Sequence, residues 1–334
     1  MATADIYVEE TFGILTDDKL YLDCILVKPA HMPDEKLRVL RVWVPKYPLT
    51  KSSLITCARQ EVQSYGAGSG IAHLVFDLRG TGDSDGIPGN LDFDLDLYAI
   101  QEWAKERFGK INFGFLGFPI SDYGRVNMWP LRAGLVMESY YYPAGGDNLS
   151  PPAILYLGSY GNFSRRDDVL CTKIADMGYE VYGLDPLRYL LHASTVHRLT
   201  PDDLHKDLHN LVQMLPGKPI IIGRPLAAGL ALLWATNIGS TRGVIAIGLA
   251  QSGFNPTHIF QNNNPFNFML SRLVGQISPR PLVLVHHTSH KLGGDESELN
   301  MLFKNSKEPH LLEKTDRLSS SLLGGLIHWI EENQ

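Results

Sequence analysis

Strand-like and helix-like runs alternate along most of the chain, and the spacing of the apolar positions tells them apart. Leu20–Ala30 (LYLDCILVKPA) and Leu135–Gly145 (LVMESYYYPAG) alternate in the strand manner and both run into Pro-Ala. Val39–Pro48 (VLRVWVPKYP) and Ala153–Asn162 (AILYLGSYGN) read as buried strands closing on turns that carry Tyr47 and Tyr160. Each is followed by an amphipathic helix, SSLITCARQEVQSYG with Cys57 and DDVLCTKIADMGYE with Cys171. HLVFDLRG and EVYGLDPLRY are then strands ending in Asp77 and Asp185, with Arg79 and Arg188 just beyond. DLDLYAIQEWAKERFG and DLHKDLHNLVQMLPG place apolar residues three and four apart, as helices covering a sheet do.

These pairs recur in one order, which FLGFPIS and IIGRPLA close, so the sequence holds two copies of one pattern. Near-continuous apolar strands alternating with amphipathic helices predict an α/β fold, a mostly parallel sheet flanked by helices. The second copy continues through RGVIAIGLA, RPLVLVHH, PHLLEK and a last helix SSLLGGLIHWIEE, whereas the first stops soon after Ser121. The expected organisation is a truncated N-terminal repeat in residues 1–128 and a fuller C-terminal repeat in 129–334. The half-copy is expected either to lend its strands to a composite sheet or to dock and hide its open edge.

At 334 residues, 44% hydrophobic and 20% charged, the chain can bury one large core or two smaller ones. A net charge of −6 with no Lys/Arg stripe argues against a nucleic-acid partner. The opening MATADIYVEETFG has no signal-peptide pattern and no apolar run approaches the ~20 residues of a membrane span, so a cytoplasmic location is expected. Cys24, Cys57 and Cys171 lack metal-ligand spacing and read as small buried residues.

FDLRGTGDSDG (Phe76–Gly86), the turns GFPIS and GRPLA, and the C-terminal RPLVLVHHTSHKLGGDE…EPHLLEKTDRLSS resemble the α/β-hydrolase superfamily over most of the chain. The resemblance implies a G-x-S-x-G nucleophile elbow, an acid after one late strand and a histidine after the next. In the second copy those three positions read Pro225, His290 and Arg317, and in the first the elbow holds Pro119. Proline offers neither nucleophile nor N–H, and arginine stays protonated, so no Ser-His-Asp triad forms. A proline φ near −65° also relaxes the strained turn that an elbow imposes.

Other polar groups are weighed by spacing. GTGDSDG reads as a structural turn, because Asp83 and Asp85 repel phosphate and no P-loop lysine follows; Ser84 is a remote alternative nucleophile. HHTSH gives His286, His287 and His290, with Asp295 near; alternation sends the first two to opposite faces, so one of them together with His290 is expected to line a pocket as acid–base groups. His205 and His209 share a helix face without a third ligand, so no metal is expected; His192 and His197 follow the Asp185 strand where loops cover a pocket. GSYGN (Gly158, Ser159, Tyr160, Gly161) takes the oxyanion-hole position, and Ser159, Tyr160, Arg188 and Arg224 are the candidate polar anchor for a ligand.

The sequence thus points to a catalytically degenerate hydrolase-like protein, without cofactor, binding an acyl or other small molecule, a partner protein or a second copy of itself. An alternative is non-hydrolytic chemistry, such as elimination, isomerisation or cyclisation of an acyl or natural-product intermediate, with His290, His286 and Tyr160 as candidates. A third is a structural subunit using the half-copy's edge.

Overall fold

The computed structural model describes residues 6–119, 125–145, 151–158, 163–225, 227–237, 239–248, 270–289 and 295–334. Contacts divide the chain into Met1–Asp122 and Tyr123–Gln334.

In the first unit, strands β1 (Tyr7–Leu15), β2 (Tyr21–Pro29), β3 (Val39–Trp43), β4 (Ile71–Phe76) and β5 (Asn112–Leu116) lie in the order β1-β2-β4-β3-β5. The first two pairings are antiparallel and the last two parallel. Helices α1 (Ile55–Tyr65) and α2 (Phe93–Phe108) supply the crossovers that parallel strands require. Leu22, Leu26, Leu40, Val42, Leu74, Phe76 and Ile100 form the centre of the core.

The second unit contains β6 (Arg125–Pro130), β7 (Val136–Tyr142), β8 (Ile154–Leu157), β9 (Val181–Leu184), β10 (Ile220–Gly223), β11 (Gly243–Ile247), β12 (Leu282–His287) and β13 (His310–Thr315). Their order is β6-β7-β9-β8-β10-β11-β12-β13, antiparallel as far as β9 and parallel from there on. Its first five strands therefore repeat the neighbour order and the orientations of the first sheet. The described strands form two sheets and not the one composite sheet expected.

Local sequence accounts for the helices around this sheet. Helix α3 (Arg165–Asp176) starts on Ser164 and α5 (Pro201–Gln213) on Thr200, each in a reciprocal capping box with the aspartate three residues on, Asp167 or Asp203. Segment EVYGLDPLRY is a strand only to Leu184; Asp185 accepts from the Arg188 N–H and opens helix α4 (Pro186–Ala193), with Pro186 in its first turn. Helix α6 (Ala228–Ala235) is apolar on every side and almost wholly buried, as is the IIIG of β10 that precedes it. Helices α7 (Leu270–Ile277), α8 (Glu296–Asn305) and α9 (Ser320–Glu332) complete the unit.

Candidate functional site

The register of the second sheet sets one row of residues just past the carboxyl ends of its central parallel strands. Arg224 N donates to Leu157 O at 3.0 Å and Gly158 N to Leu184 O at 3.0 Å. Arg224, Gly158 and Asp185 therefore succeed β10, β8 and β9 at one level, where open α/β sheets place their ligands.

At the β10 exit the chain turns through Arg224 and Pro225 into α6, and Ala227 N closes the turn on Arg224 O at 2.9 Å. Gly223 is required for this approach: a Cβ there would lie 2.6 Å from Ala231 Cβ and 2.9 Å from Ala228 Cα. Pro225 is buried and is not among the non-glycine residues with positive φ, so it carries no left-handed strain itself. Arg224 is 5% exposed. Its Nη1 lies 3.3 Å from the Tyr156 hydroxyl and 3.5 Å from Asp167, to which Tyr156 donates at 2.7 Å. Burial, and then the Asp167 charge, hold the Tyr156 phenol well above its ordinary pKa, so it is a donor throughout the physiological range. Arg224 Nε is buried and has no hydrogen-bond partner among the described residues.

Arg188 is placed differently, on the first turns of α4, where its guanidinium pairs with Glu138 of β7. Both are nearly buried, at 3% and 4% exposure. His192, one turn on, has its pKa lowered by burial and by Arg188, against a hydrogen bond with the Val136 backbone. Its Nε2 is buried without a partner, so a neutral imidazole lies beside the ion pair. The two arginines proposed as one anchor thus meet different carboxylates, Asp167 and Glu138. Ser159, Tyr160, Gly161 and His290 lie outside the described residues.

At the ends of β12 and β13, His286 shares a shallow depression with Glu296, Leu299 and Asn300 of α8 and with Leu312 and Lys314. His286 Nδ1 is buried and has no hydrogen-bond partner among the described residues, while His287 is 6% exposed. Asp295 caps α8 through Ser297, whose hydrogen bonds, with a further pull from His286, lower its pKa. Arg317 is exposed, its N–H donating to Thr315 Oγ1 at 3.2 Å. His205 is tied to α6 through Leu233 O at 3.1 Å and Thr236 Oγ1 at 3.2 Å, whereas His209 is exposed and His197 meets Asp203 at 3.2 Å.

In the first unit, Pro119 is half-buried beyond β5. The GTGDSDG segment is a turn clasped onto β2: Ser84 Oγ donates to Asp77 O at 2.7 Å and accepts from Asp23 N at 2.9 Å, while Asp85 accepts from Tyr21 N at 3.1 Å. Asp23, Asp77 and Asp83 converge closely enough to share a cation. The Lys51 ammonium stands among them, at 2.7, 2.5 and 3.0 Å, a placement that no motif or spacing signals. Glu138 was equally overlooked, although a carboxylate inside LVMESYYYP is itself a signal that a buried cation is near.

No family model and no curated protein matches the sequence. Among solved structures, the chain is similar to the esterase domain of a Rhodothermus marinus protein, at 14% identity and a TM-score of 0.49 over 63% of this chain and 99% of that one. A putative dienelactone hydrolase from Klebsiella pneumoniae gives 11%, 0.45, 63% and 100%. An acylaminoacyl peptidase from Pyrococcus horikoshii gives 13%, 0.41, 64% and 40%. At such identities and TM-scores the likeness assigns no activity and no family; the mixed α/β architecture with helix-flanked sheets stands on the strands and helices themselves. No helix among the described residues is long and apolar enough to cross a membrane.

Proposed function

We propose that this chain is a catalytically degenerate, α/β-hydrolase-like protein that binds an acyl or other small ligand, or a partner protein, without hydrolysing it. The observation that carries this reading is the β10–α6 turn. It keeps the tight strand-to-helix approach at Gly223 but presents Pro225, with no hydroxyl to attack a carbonyl. The β13 exit, where the resemblance calls for a histidine, carries the exposed and permanently charged Arg317. The reading includes an internal duplication, supported by the shared order and orientation of the first five strands in each sheet. The test is incubation with a fluorophosphonate probe and a panel of p-nitrophenyl esters. Neither covalent labelling nor turnover above buffer is expected; turnover abolished by one substitution at the β-strand exits would overturn the proposal.

A second reading, non-hydrolytic acid–base chemistry, is favoured by the partnerless ring nitrogens of His192 and His286 near those exits. It fails if His192→Phe and His286→Phe leave turnover of the identified substrate unchanged.

A further inference from the structure

Strand β5 ends the first sheet: it pairs with β3 on one side and with no described strand on the other. In the second sheet the strand at the same place in the order, β10, is paired on both sides. The β3 ladder uses the inner backbone groups, with Asn112 N donating to Arg38 O at 3.0 Å and Leu116 O accepting from Val44 N at 2.9 Å. By the alternation of a parallel ladder, the N–H and C=O of Phe113 and Phe115 point outward. Exposed edges are ordinarily guarded by charge, proline or a bulge. From Ile111 to Phe118 this segment reads INFGFLGF, with no charged residue and no proline.

We propose that β5 is a homodimerisation edge, pairing antiparallel with β5 of a second copy about a two-fold axis at Gly114. The sequence is suited to self-pairing because Phe-Gly-Phe reads the same in both directions about Gly114. Antiparallel pairing centred there sets Phe113 of each copy opposite Phe115 of the other. These are the residues with outward groups, so each opposed couple exchanges two hydrogen bonds. Gly114 then faces its own counterpart in the non-hydrogen-bonded position, where Cα atoms approach to about 4.5 Å and side chains crowd most. Gly114 is exposed, and a Cβ built on it meets no atom within 4 Å. Phe113 and Phe115, packed edge to face with centroids 4.9 Å apart and resting on the core, continue as a row of four rings across the axis. The uncharged edge brings no repulsion to a second copy. A pair of five-residue strands buries less than the roughly 1,000 Å² of a stable interface, so the association is reversible and concentration-dependent.

The experiment is sedimentation equilibrium on the full chain over a hundredfold concentration range, with wild type, Gly114→Lys, Gly114→Glu and an equimolar mixture of the two variants. The wild-type weight-average mass is expected to rise toward twice the monomer with concentration. Each variant alone is expected to remain monomeric, because like charges meet across the axis, and the mixture to regain dimer, which also shows that both variants fold. A wild type monomeric throughout, a Gly114→Lys variant that dimerises as wild type does, or a mixture that stays monomeric would overturn the proposal.

Discussion

The indole Nε1 of Trp43 donates to Nδ1 of His73 at 3.0 Å, across the β3–β4 ladder. That bond needs an unprotonated Nδ1. Burial, and then the Arg41 charge, lower the His73 pKa to about 3. In the unfolded chain it returns to about 6.5. The folded value is the depressed one, so His73's contribution is complete above pH 6.5 and is lost progressively as the pH falls toward 3. Between pH 7 and 4 the expected loss is about 2–4 kcal/mol. Denaturant titration across that window checks it: the dependence should flatten in His73→Gln, and an equal slope in both proteins would refute it.

Lys51→Met leaves Asp77, which has no exposed surface, facing Asp23 and Asp83 without a counter-charge. Removing the cation from the buried Lys51–Asp77 pair costs about 3–5 kcal/mol. A matching drop in the urea midpoint is expected, and a change under 1 kcal/mol would show that the carboxylates relax freely.

Gly223→Val forces a side chain against Ala228 and Ala231 of α6. Overpacking of this kind costs about 1–3 kcal/mol. A lower thermal midpoint is expected; wild-type stability would show that α6 can move away from the strand.

Pro225→Ser supplies a hydroxyl and a backbone N–H but no base. With Arg317 at the β13 exit no neutral base is supplied there, so the serine stays protonated and p-nitrophenyl acetate hydrolysis should remain at the buffer rate. A tenfold rise would mean that a base is present after all.

Much of the architecture was legible from alternation, because a strand buried on both faces, such as IIIG of β10, leaves a continuous apolar run, and a covering helix such as α5 leaves a three-and-four spacing. Helix α4 was missed although Asp185-Pro186 carries its start signals; the apolar EVYGL before it extended the strand reading past Leu184. Arg188 and Arg224 stood out as cations at strand ends. Their partners did not, because Glu138 and Asp167 come from distant segments that only sheet order and helix packing bring close. Lys51 had no sequence signal for the same reason, its carboxylates arriving from β2 (Asp23) and from the FDLRGTGDSDG segment (Asp77 and Asp83).

Gly223 bears on how such sequences are recognised. Its lack of a side chain is enforced by the distance between β10 and α6, whatever residue stands two places on. A glycine at that place is therefore a packing requirement of the strand-to-helix approach, and by itself it carries no information about catalysis.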